Sequence, residues 1–518
     1  MAKFVYGIDL GTTYSCISYV DETGRATVID NMEGTNTTPS VVNFENPMEV
    51  SVGQLAKENA VVDPENTVSF VKNLIGRTDY TIAYNGEDKS PEEISSYILR
   101  KVAGDAARQI NQEVKDVVIT CPAYFGSAET SATKKAGEIA GLNVLEIINE
   151  PTAAAIYYGC TKTHEDKTIL IYDLGGGTFD VTVMDIKDGK IRVICTDGDL
   201  DLGGKNWDDA LILYLQDEYK AQTGYDGEID PYAQQELRIK AEKAKQQLTG
   251  RQETTVVWGV TGSAAKMTVT REIFEEITQS LLNRTLERTG DALRVAKDKG
   301  FEVSEILLVG GSSYMPQVPK ALAERYGIEP RILEPNEAVA KGAAIYALQI
   351  YRPNPAEETP SVTPEVLGIA GKVEVIAATT KSYALQVLYN GESVCRNMII
   401  KNEPMPEGQV SVTREFGTAE DNQRTADVVV YENDSMETYL PLDPDTVLGT
   451  VSIPLPSGLK AGSPLEVTFT LNREGILYVV GRDVVSGEIR DLSIKIAGVM
   501  DDQDVAALKQ KTRDVVVQ

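Results

Sequence analysis

Continuous apolar runs punctuate the first part of the chain, and stretches of helical period separate them. Val117-Val118-Ile119-Thr120, Leu145 to Ile148, Thr168-Ile169-Leu170-Ile171-Tyr172 and Ile306-Leu307-Leu308-Val309 read as buried strands. Residues 4–20 and 26–44 also read as strands, broken at Asp21-Glu22-Thr23-Gly24. Ser90-Pro91-Glu92-Glu93 is a capping box with proline at the first helical position. It opens a helix with Ile94, Tyr97, Ile98 and Val102 on one face. Ala128 to Ala140, residues 231–249 and Thr270 to about Lys299 read as further helices, and Asn149–Ala155 turns the strand before it into another. Strands alternating with helices predict an α/β unit over residues 1–350, in two lobes of about 1–165 and 166–350.

Past this unit the pattern shortens. Pro353, Pro355, Pro360 and Pro364 mark a linker, placed at 351–378. Runs at 383–389, 397–401, 409–413, 426–431, 465–471 and 476–480 are short, with turn signals between, and predict an all-β sandwich over 379–500. Only Asp501 to about Val515 can form a closing helix in the last stretch, 501–518.

Composition narrows the function classes. Fifty basic against 78 acidic residues give a net charge of −28, which argues against nucleic acid or an anionic membrane as the main partner. No run is long and apolar enough to span a membrane, and Met1-Ala2-Lys3-Phe4-Val5 leads straight into a strand without a signal-peptide layout. The five cysteines are scattered and form no Cys-x-x-Cys pair, so neither a disulfide framework nor a zinc site is expected, and a cytoplasmic setting fits. His164 is the single histidine, in a polar loop, which disfavours a serine–histidine triad.

The chemistry gathers at two glycine turns. Tyr172-Asp173-Leu174-Gly175-Gly176-Gly177-Thr178-Phe179-Asp180 joins two apolar runs as a β-hairpin. Its glycines clear side chains from the tip, so backbone N–H groups can approach a polyphosphate. A carboxylate beside such a cradle suits a hydrated Mg²⁺. Glycine turns are common, and this one alone is equally a tight hairpin. A second copy, Asp9-Leu10-Gly11-Thr12, stands about one domain length earlier. Two half-domains with matching acidic hairpins predict a duplicated fold that closes on one nucleotide.

Other candidates are ambiguous in isolation. Lys72 lies in an apolar segment and reads alone as a surface or snorkelling lysine. Glu150 sits where a strand ends and a helix begins, either as a cap or in a ligand crevice. Gly203-Gly204-Lys205-Asn206 lacks Walker spacing. The helix with Glu242, Lys245 and Thr249 reads as a solvated amphipathic helix.

Taken together, these residues resemble the 70-kDa heat-shock chaperone family. Ile8-Asp9-Leu10-Gly11-Thr12-Thr13, Cys121-Pro122-Ala123-Tyr124-Phe125, Ile147–Ala155 and Asp173–Asp180 match in order and spacing, whereas one hairpin alone is shared with actins and sugar kinases. The resemblance covers residues 4–350 strongly. It is weaker over 380–500, where Phe416–Gln423 and Leu465–Leu477 match best.

The resemblance implies an actin-like, ribonuclease H-like duplicated ATPase domain, a linker and a β-sandwich that binds extended hydrophobic peptides. It implies ATP, Mg²⁺ and K⁺, with Asp9 and Asp173 as metal ligands through water. Lys72, Glu150, Asp173 and Thr178 would surround the attacking water. Gly11, Thr12, Thr13, Tyr14, Gly175, Gly176, Gly177, Gly203 and Gly204 would line the phosphates. Glu242, Lys245, Thr249, Gly310, Gly311, Ser312 and Asn336 would hold adenosine. Leu385, Phe416, Ala419, Ala426 and Val428 would line the peptide pocket, although each also reads as plain core. Partners implied are unfolded peptide, a J-domain co-chaperone and a nucleotide-exchange factor.

Several positions depart from the family pattern. Gln246 and Tyr314 stand where many members have arginines flanking adenine, and Asn336 where aspartate is usual. Glu146 replaces an arginine that contacts J-domains. The linker signature is nearest at Val373-Glu374-Val375-Ile376-Ala377, with Val362–Ile369 as a rival alignment, and most of the helical lid is missing. Rival functions are an actin-superfamily kinase, a polymerising scaffold, and a specialised chaperone relative with weakened domain and J-domain coupling.

Overall fold

The computed structural model describes residues 4–77, 79–161, 166–260, 262–352, 374–472, 475–484, 489–493 and 500–518. The proline-rich stretch 353–364, the rival linker Val362–Ile369, Val373, His164, and Arg473-Glu474 of the β-unit motif lie outside them.

In the first lobe, β1 (Tyr6–Asp9) turns back into β2 (Tyr14–Val20), and β3 (Val41–Asn46) into β4 (Glu49–Val52). Then come α1 (Pro91–Ile110), β5 (Asp116–Cys121), α2 (Ser127–Ile139), β6 (Asn143–Asn149) and α3 (Glu150–Thr161). Half of the capping box forms: Glu93 N–H donates to Ser90 Oγ at 3.2 Å, with Pro91 first in the helix, while Glu93 Oε1 accepts from Lys89 Nζ and Tyr97 OH. In space the main sheet runs β6-β5-β1-β2, with the first three parallel and β2 antiparallel.

The second lobe repeats that order. It contains β7 (Lys167–Leu174), β8 (Phe179–Lys187), β9 (Lys190–Asp199), α4 (Gly204–Thr223), α5 (Pro231–Gly250) and β10 (Glu305–Val309), whereas the last helix of the α/β unit, α6 (Ala338–Ile350), crosses back to pack on the first-lobe strands β1, β2 and β5. β10 lies parallel to β7, and β8 and β9 return antiparallel. In each lobe, therefore, an acidic hairpin springs from a strand with a parallel neighbour.

Helices α3 and α6 share one apolar cluster with residues of both sheets. Ala153, Ala154, Ala155, Ala343 and Ala344 are fully buried there. Small residues permit this approach, since a Cβ on Gly342 would fall 1.7 Å from the Ala153 carbonyl oxygen.

Two elements differ from expectation for local reasons. Between Ala26–Val28 and β3 the chain loops out, because Asn31 Oδ1 accepts the Glu33 and Thr35 N–H groups. The long helix breaks into Arg271–Ile277 and Gln279–Asp298. At the break, Thr278 Oγ1 donates to the Phe274 carbonyl at 2.7 Å.

β11 (Glu374–Ala378) does not hang free as a linker. It adds to the second-lobe sheet, parallel to β9, with Val375 opposite Ile191. Beyond it, β12 (Ser382–Tyr389), β13 (Glu392–Ile399), β14 (Gln409–Gly417), β15 (Thr425–Asn433), β16 (Val447–Pro454), β17 (Pro464–Asn472), β18 (Leu477–Asp483) and β19 (Ile489–Ser493) build two sheets. β13-β12-β15-β16 faces β14-β17-β18-β19 across a core that includes Leu385, Val430, Val467, Phe469 and Val479. Burial alternates along β17 as a half-buried strand requires.

The β unit rests on the α/β unit. Ser127 Oγ and Tyr383 OH lie 2.6 Å apart, Asn402 Oδ1 accepts the Thr196 N–H at 2.9 Å, and Thr380 Oγ1 donates to the Phe125 carbonyl. The chain then returns to the first lobe as α7 (Asp502–Arg513) and the short strand β20 (Val516–Val517), which pairs with β4.

Candidate functional site

Both acidic hairpins open into one cavity of about 480 Å³ between the lobes. Asp9, Gly11, Thr12, Thr13 and Tyr14 line it from the first, and Asp173, Gly175, Gly176 and Thr178 from the second. The tips touch: a Cβ on Gly176 would fall 2.2 Å from Thr13 Oγ1. At the base of the second hairpin Asp173 is register partner to Asp180.

Lys72 is no surface lysine. It is 4% exposed, lines the cavity and pairs with Glu150, the first residue of α3. Its 3-10 turn, Val71–Leu74, follows Phe70, whose φ of 61° is left-handed for a bulky residue. Burial pulls the Lys72 ammonium down, but Glu150 and Asp9 outweigh it and its pKa ends above the ordinary lysine value.

The balance of charge here is lopsided. Glu150, Asp173 and Asp180 are buried, and Asp9 is half-buried, around one lysine. Burial first, then Glu150, pushes the Asp9 carboxyl up to about 7 and Asp180 up to about 8. Asp173 rises for the same reasons, with Asp180 and Asp9 adding. Thr120 Oγ1 donates to Asp9 at 3.1 Å, and the Tyr124 N–H to Asp180 at 2.9 Å. These bonds do not offset the surplus. A divalent cation would, so the donor set fits one. Among the described residues no three His, Cys, Asp or Glu side chains form a direct chelating group.

The far end of the cavity is built by α5 and the loop after β10. Glu242, Lys245 and Thr249 line it, so that α5 is not merely a solvated helix. Gly310, Gly311, Ser312 and Asn336 line it too, with Gln246 and Tyr314 beside them. Lys57 pairs with Glu242 at 2.5 Å across the cleft, and Tyr14 OH donates to the same carboxylate at 2.9 Å. Lys245 pairs with Asp208 at 2.8 Å, and Ser312 Oγ donates to the Gly175 carbonyl at 2.8 Å.

Gly177, Gly203 and Gly204 stand behind the lining. Gly204 N–H donates to the Gly175 carbonyl, and a Cβ on Gly203 would strike Gly177 N at 2.4 Å. Asn73, which the motifs do not mark, ties the loops together. Its Oδ1 accepts from Thr12 Oγ1 at 3.2 Å, and its Nδ2 donates to the Gly177 and Leu200 carbonyls at 3.3 and 3.4 Å. Lys57 and Asp208 likewise belong to no motif, and Asp180, which closes the second hairpin, carries no role in the sequence reading. A polar residue beside Lys72 is the one local hint for Asn73.

In the β unit, Leu385 and Val428 belong to the sandwich core, and Phe416 and Ala426 pack against it half-buried. The Arg396 guanidinium lies 5.6 Å from the Phe416 ring centroid. Ala419 is exposed, and its N–H donates to Gln423 Oε1 at 2.8 Å. Glu146 accepts from Tyr346 OH at 2.9 Å at the edge of a small cavity between the units.

An α/β unit with a charge-unbalanced cleft, followed by a β-sandwich, defines the class. The family model "Hsp70 protein" matches residues 5–518. "Chaperone protein DnaK" of Thermosipho africanus is 37% identical over 512 residues, spanning 97% of this chain and 82% of that protein. "Chaperone protein DnaK" of Thermotoga neapolitana is 37% identical over 513 residues, with the same coverage. That of Thermotoga maritima is 38% identical over 502 residues, covering 95% and 80%. The chain belongs to the Hsp70 family. Among the described residues no helix is long and apolar enough to cross a membrane.

Proposed function

We propose that this chain is an ATP-dependent molecular chaperone, which hydrolyses ATP to ADP and phosphate and couples this to binding and release of extended hydrophobic peptide. The actin-like, duplicated reading of the ATPase domain (1–350) is supported by the repeated sheet order. The observation that carries the reading is the shared cavity: both acidic hairpins face it, with the Lys72–Glu150 pair between them.

Hydrolysis needs an in-line water and compensation of charge on the γ-phosphoryl oxygens. Glu150 and Asp173 orient the water. Lys72 holds positive charge beside the γ-phosphoryl group, and Thr178 offers its hydroxyl at the same place. Gly11, Gly175, Gly176 and Gly177 let backbone N–H groups approach the phosphates, next to Thr12, Thr13 and Tyr14. Gly203 and Gly204 brace that hairpin. Glu242, Lys245, Thr249, Gly310, Gly311, Ser312 and Asn336 hold the adenosine. Asp9 and Asp173 hold hydrated Mg²⁺, which when bound neutralises phosphate charge; K⁺ is the second cation we assign to this carboxylate surplus.

Peptide is held by the sandwich, with Leu385, Phe416, Ala419, Ala426 and Val428 as candidate contacts. A chain of one hydrogen bond and two cation–π contacts supports a route for coupling. Asp180 accepts from Tyr124 N–H, and the Tyr124 ring carries Lys381 and Lys401 of the β unit at 4.0 and 4.6 Å. A specialised relative with altered J-domain contact remains the second reading, on the strength of Glu146.

The test is ATP turnover with and without an extended Leu-rich peptide, followed by peptide release on adding ATP. Wild-type protein should hydrolyse ATP and release peptide. Lys72→Ala and Asp173→Ala should stay folded and lose turnover by about 10²–10³-fold, the usual scale for one electrostatic contact. Unchanged turnover in both variants defeats the assignment.

A further inference from the structure

The segment after the β-sandwich makes a contact that the ATPase and peptide sites do not require. β4 has β3 on one side only, so its outer edge would present unpaired backbone groups. The segment Val515–Gln518 covers that edge. Val516 N–H donates to the Met48 carbonyl at 2.8 Å and Gln518 N–H to the Val50 carbonyl at 3.0 Å. In return, Val52 N–H donates to the Gln518 carbonyl at 3.0 Å.

Side chains fix the register. Val515 is 7% exposed and joins the first-lobe core. The Arg100 guanidinium of α1 forks onto the Thr512 and Val515 carbonyls, both at 2.7 Å. These carbonyls end α7 and lead into β20, so one cation holds the corner. Lys511 adds a pair with Glu87 at 2.6 Å.

The seat is joined to the domain seam. α7 packs on α2, and Ser127 at the start of that helix meets Tyr383 of β12. One helix of the first lobe is thus gripped from both sides, by the β-sandwich and by the segment that follows it. β20 is only two residues long, so its hold is local and releasable, at the low end of stability within the fold.

We propose that the outer edge of β4, with Arg100, is a strand-docking site whose occupant is this chain's own Val515–Gln518, and that this clasp holds the β-sandwich against the ATPase domain. When the clasp opens, the sandwich loses its second tether and the undocked arrangement becomes more populated. Val52 N–H then loses its partner.

The test uses the full chain. Amide hydrogen exchange is read at Val52, Val516 and Gln518, and the docked fraction is read by energy transfer between dyes on the first lobe and the sandwich. Wild-type protein should protect Val52. Val515→Asp places a charge in the apolar seat and should speed Val52 exchange at least tenfold and lower the docked fraction several-fold. Arg100→Met, which keeps an apolar stem but removes the fork, should do the same more weakly. Amides of β7 and β8 should stay protected in both variants, which shows that the ATPase fold is intact. The proposal fails if Val52 already exchanges freely in the wild type, or if both variants leave the docked fraction unchanged.

Discussion

The cleft between the lobes and the seam between the ATPase domain and the β-sandwich are made of the same ingredients in different proportion. In the cleft, four carboxylates, three of them buried, share Lys72. At the seam, Lys381 and Lys401 face Asp434 and the Tyr124 ring, with Asp197 at 3.9 Å from Lys401. Acids shift accordingly. The cleft aspartates are pushed up, while burial at Asp434 is outweighed by Lys381 and Lys401 and its pKa falls. A group left out of balance inside a protein is unfavourable unless something arrives to balance it. The seam is balanced by the protein itself when the domains meet. The cleft is balanced by bound protons or by a cationic ligand that displaces them, and its own charge carries the information about what it binds.

Asp173→Asn puts that contrast to its hardest test. Removing one acid from the cleft should lower turnover by about 10²–10³-fold, because the water and the cation lose a contact. The same change should raise the melting temperature of the metal-free protein, since it relieves repulsion with Glu150, Asp180 and Asp9. Loss of activity with gain of stability separates a ligand-reserved charge from a structural one. If calorimetry in chelator shows Asp173→Asn melting below wild type, the surplus is not what strains the cleft.

The hairpins were legible in the sequence because their information is local: a glycine turn between apolar strands, written twice. The Ser90 N-cap with Pro91 after it was legible for the same reason. Lys72 was not legible from its neighbourhood, because its partner Glu150 is distant in sequence and only the fold brings them together. Asn73 and Lys57 escaped on the same grounds, since Thr12, Gly177 and Glu242 come from other elements. β16 was missed because its alternation covers only Thr450 to Ile453, and Gly449 before it and Pro454 after it read as turn signals. β20 could not be read at all: Val516–Val517 becomes a strand only through the edge of β4. The linker was half legible. Val375 and Ile376 carry strand character, but its pairing with β9 depends on an open sheet edge far away in sequence.

Glu432 is the exception that sharpens the seam. Its side chain is buried against Tyr383 and Glu129, with Ser127 N–H donating to it and Lys381 nearby, and Oε2 has no hydrogen-bond partner. Burial first, then Glu129, raises its pKa in the docked arrangement. Undocking would expose it and return it to an ordinary carboxyl. Protons therefore bind the docked form more tightly, and docking should weaken as pH rises above the ordinary value of 4.5. Glu432→Gln keeps the shape and removes the titration. At neutral pH it should raise the docked fraction by roughly three- to tenfold, the scale of about 1 kcal/mol for a buried acceptor left unsatisfied, and flatten the pH profile. A docked fraction that falls in Glu432→Gln, or a profile as steep as wild type, would show that another group titrates at the seam.

The smallest effect belongs to the mouth of the cleft, where the two kinds of charge meet. Lys57 and Glu242 reach across from opposite lobes, each about one-fifth exposed at the side chain, and Tyr14 OH donates to the same carboxylate. Unlike Lys72, Lys57 has a single acid beside it, so this pair is balanced before any ligand arrives. It resembles the seam in charge although it belongs to the cleft in position. A partly exposed pair of this kind contributes less than a fully buried one, about 1 kcal/mol or below. Lys57→Met should therefore speed nucleotide dissociation by roughly two- to fivefold and leave the single-turnover hydrolysis rate unchanged, because no group near Lys72 moves. The double variant Lys57→Met with Glu242→Gln should be no faster than Glu242→Gln alone, since losing the carboxylate already removes the crossing as well as its contact with the adenosine. Stopped-flow release of a fluorescent nucleotide reads this directly. A fall in the single-turnover rate in Lys57→Met would mean that the mouth and the reacting end are one electrostatic unit, and the division between ligand-balanced and self-balanced charge would have to be redrawn inside the cleft.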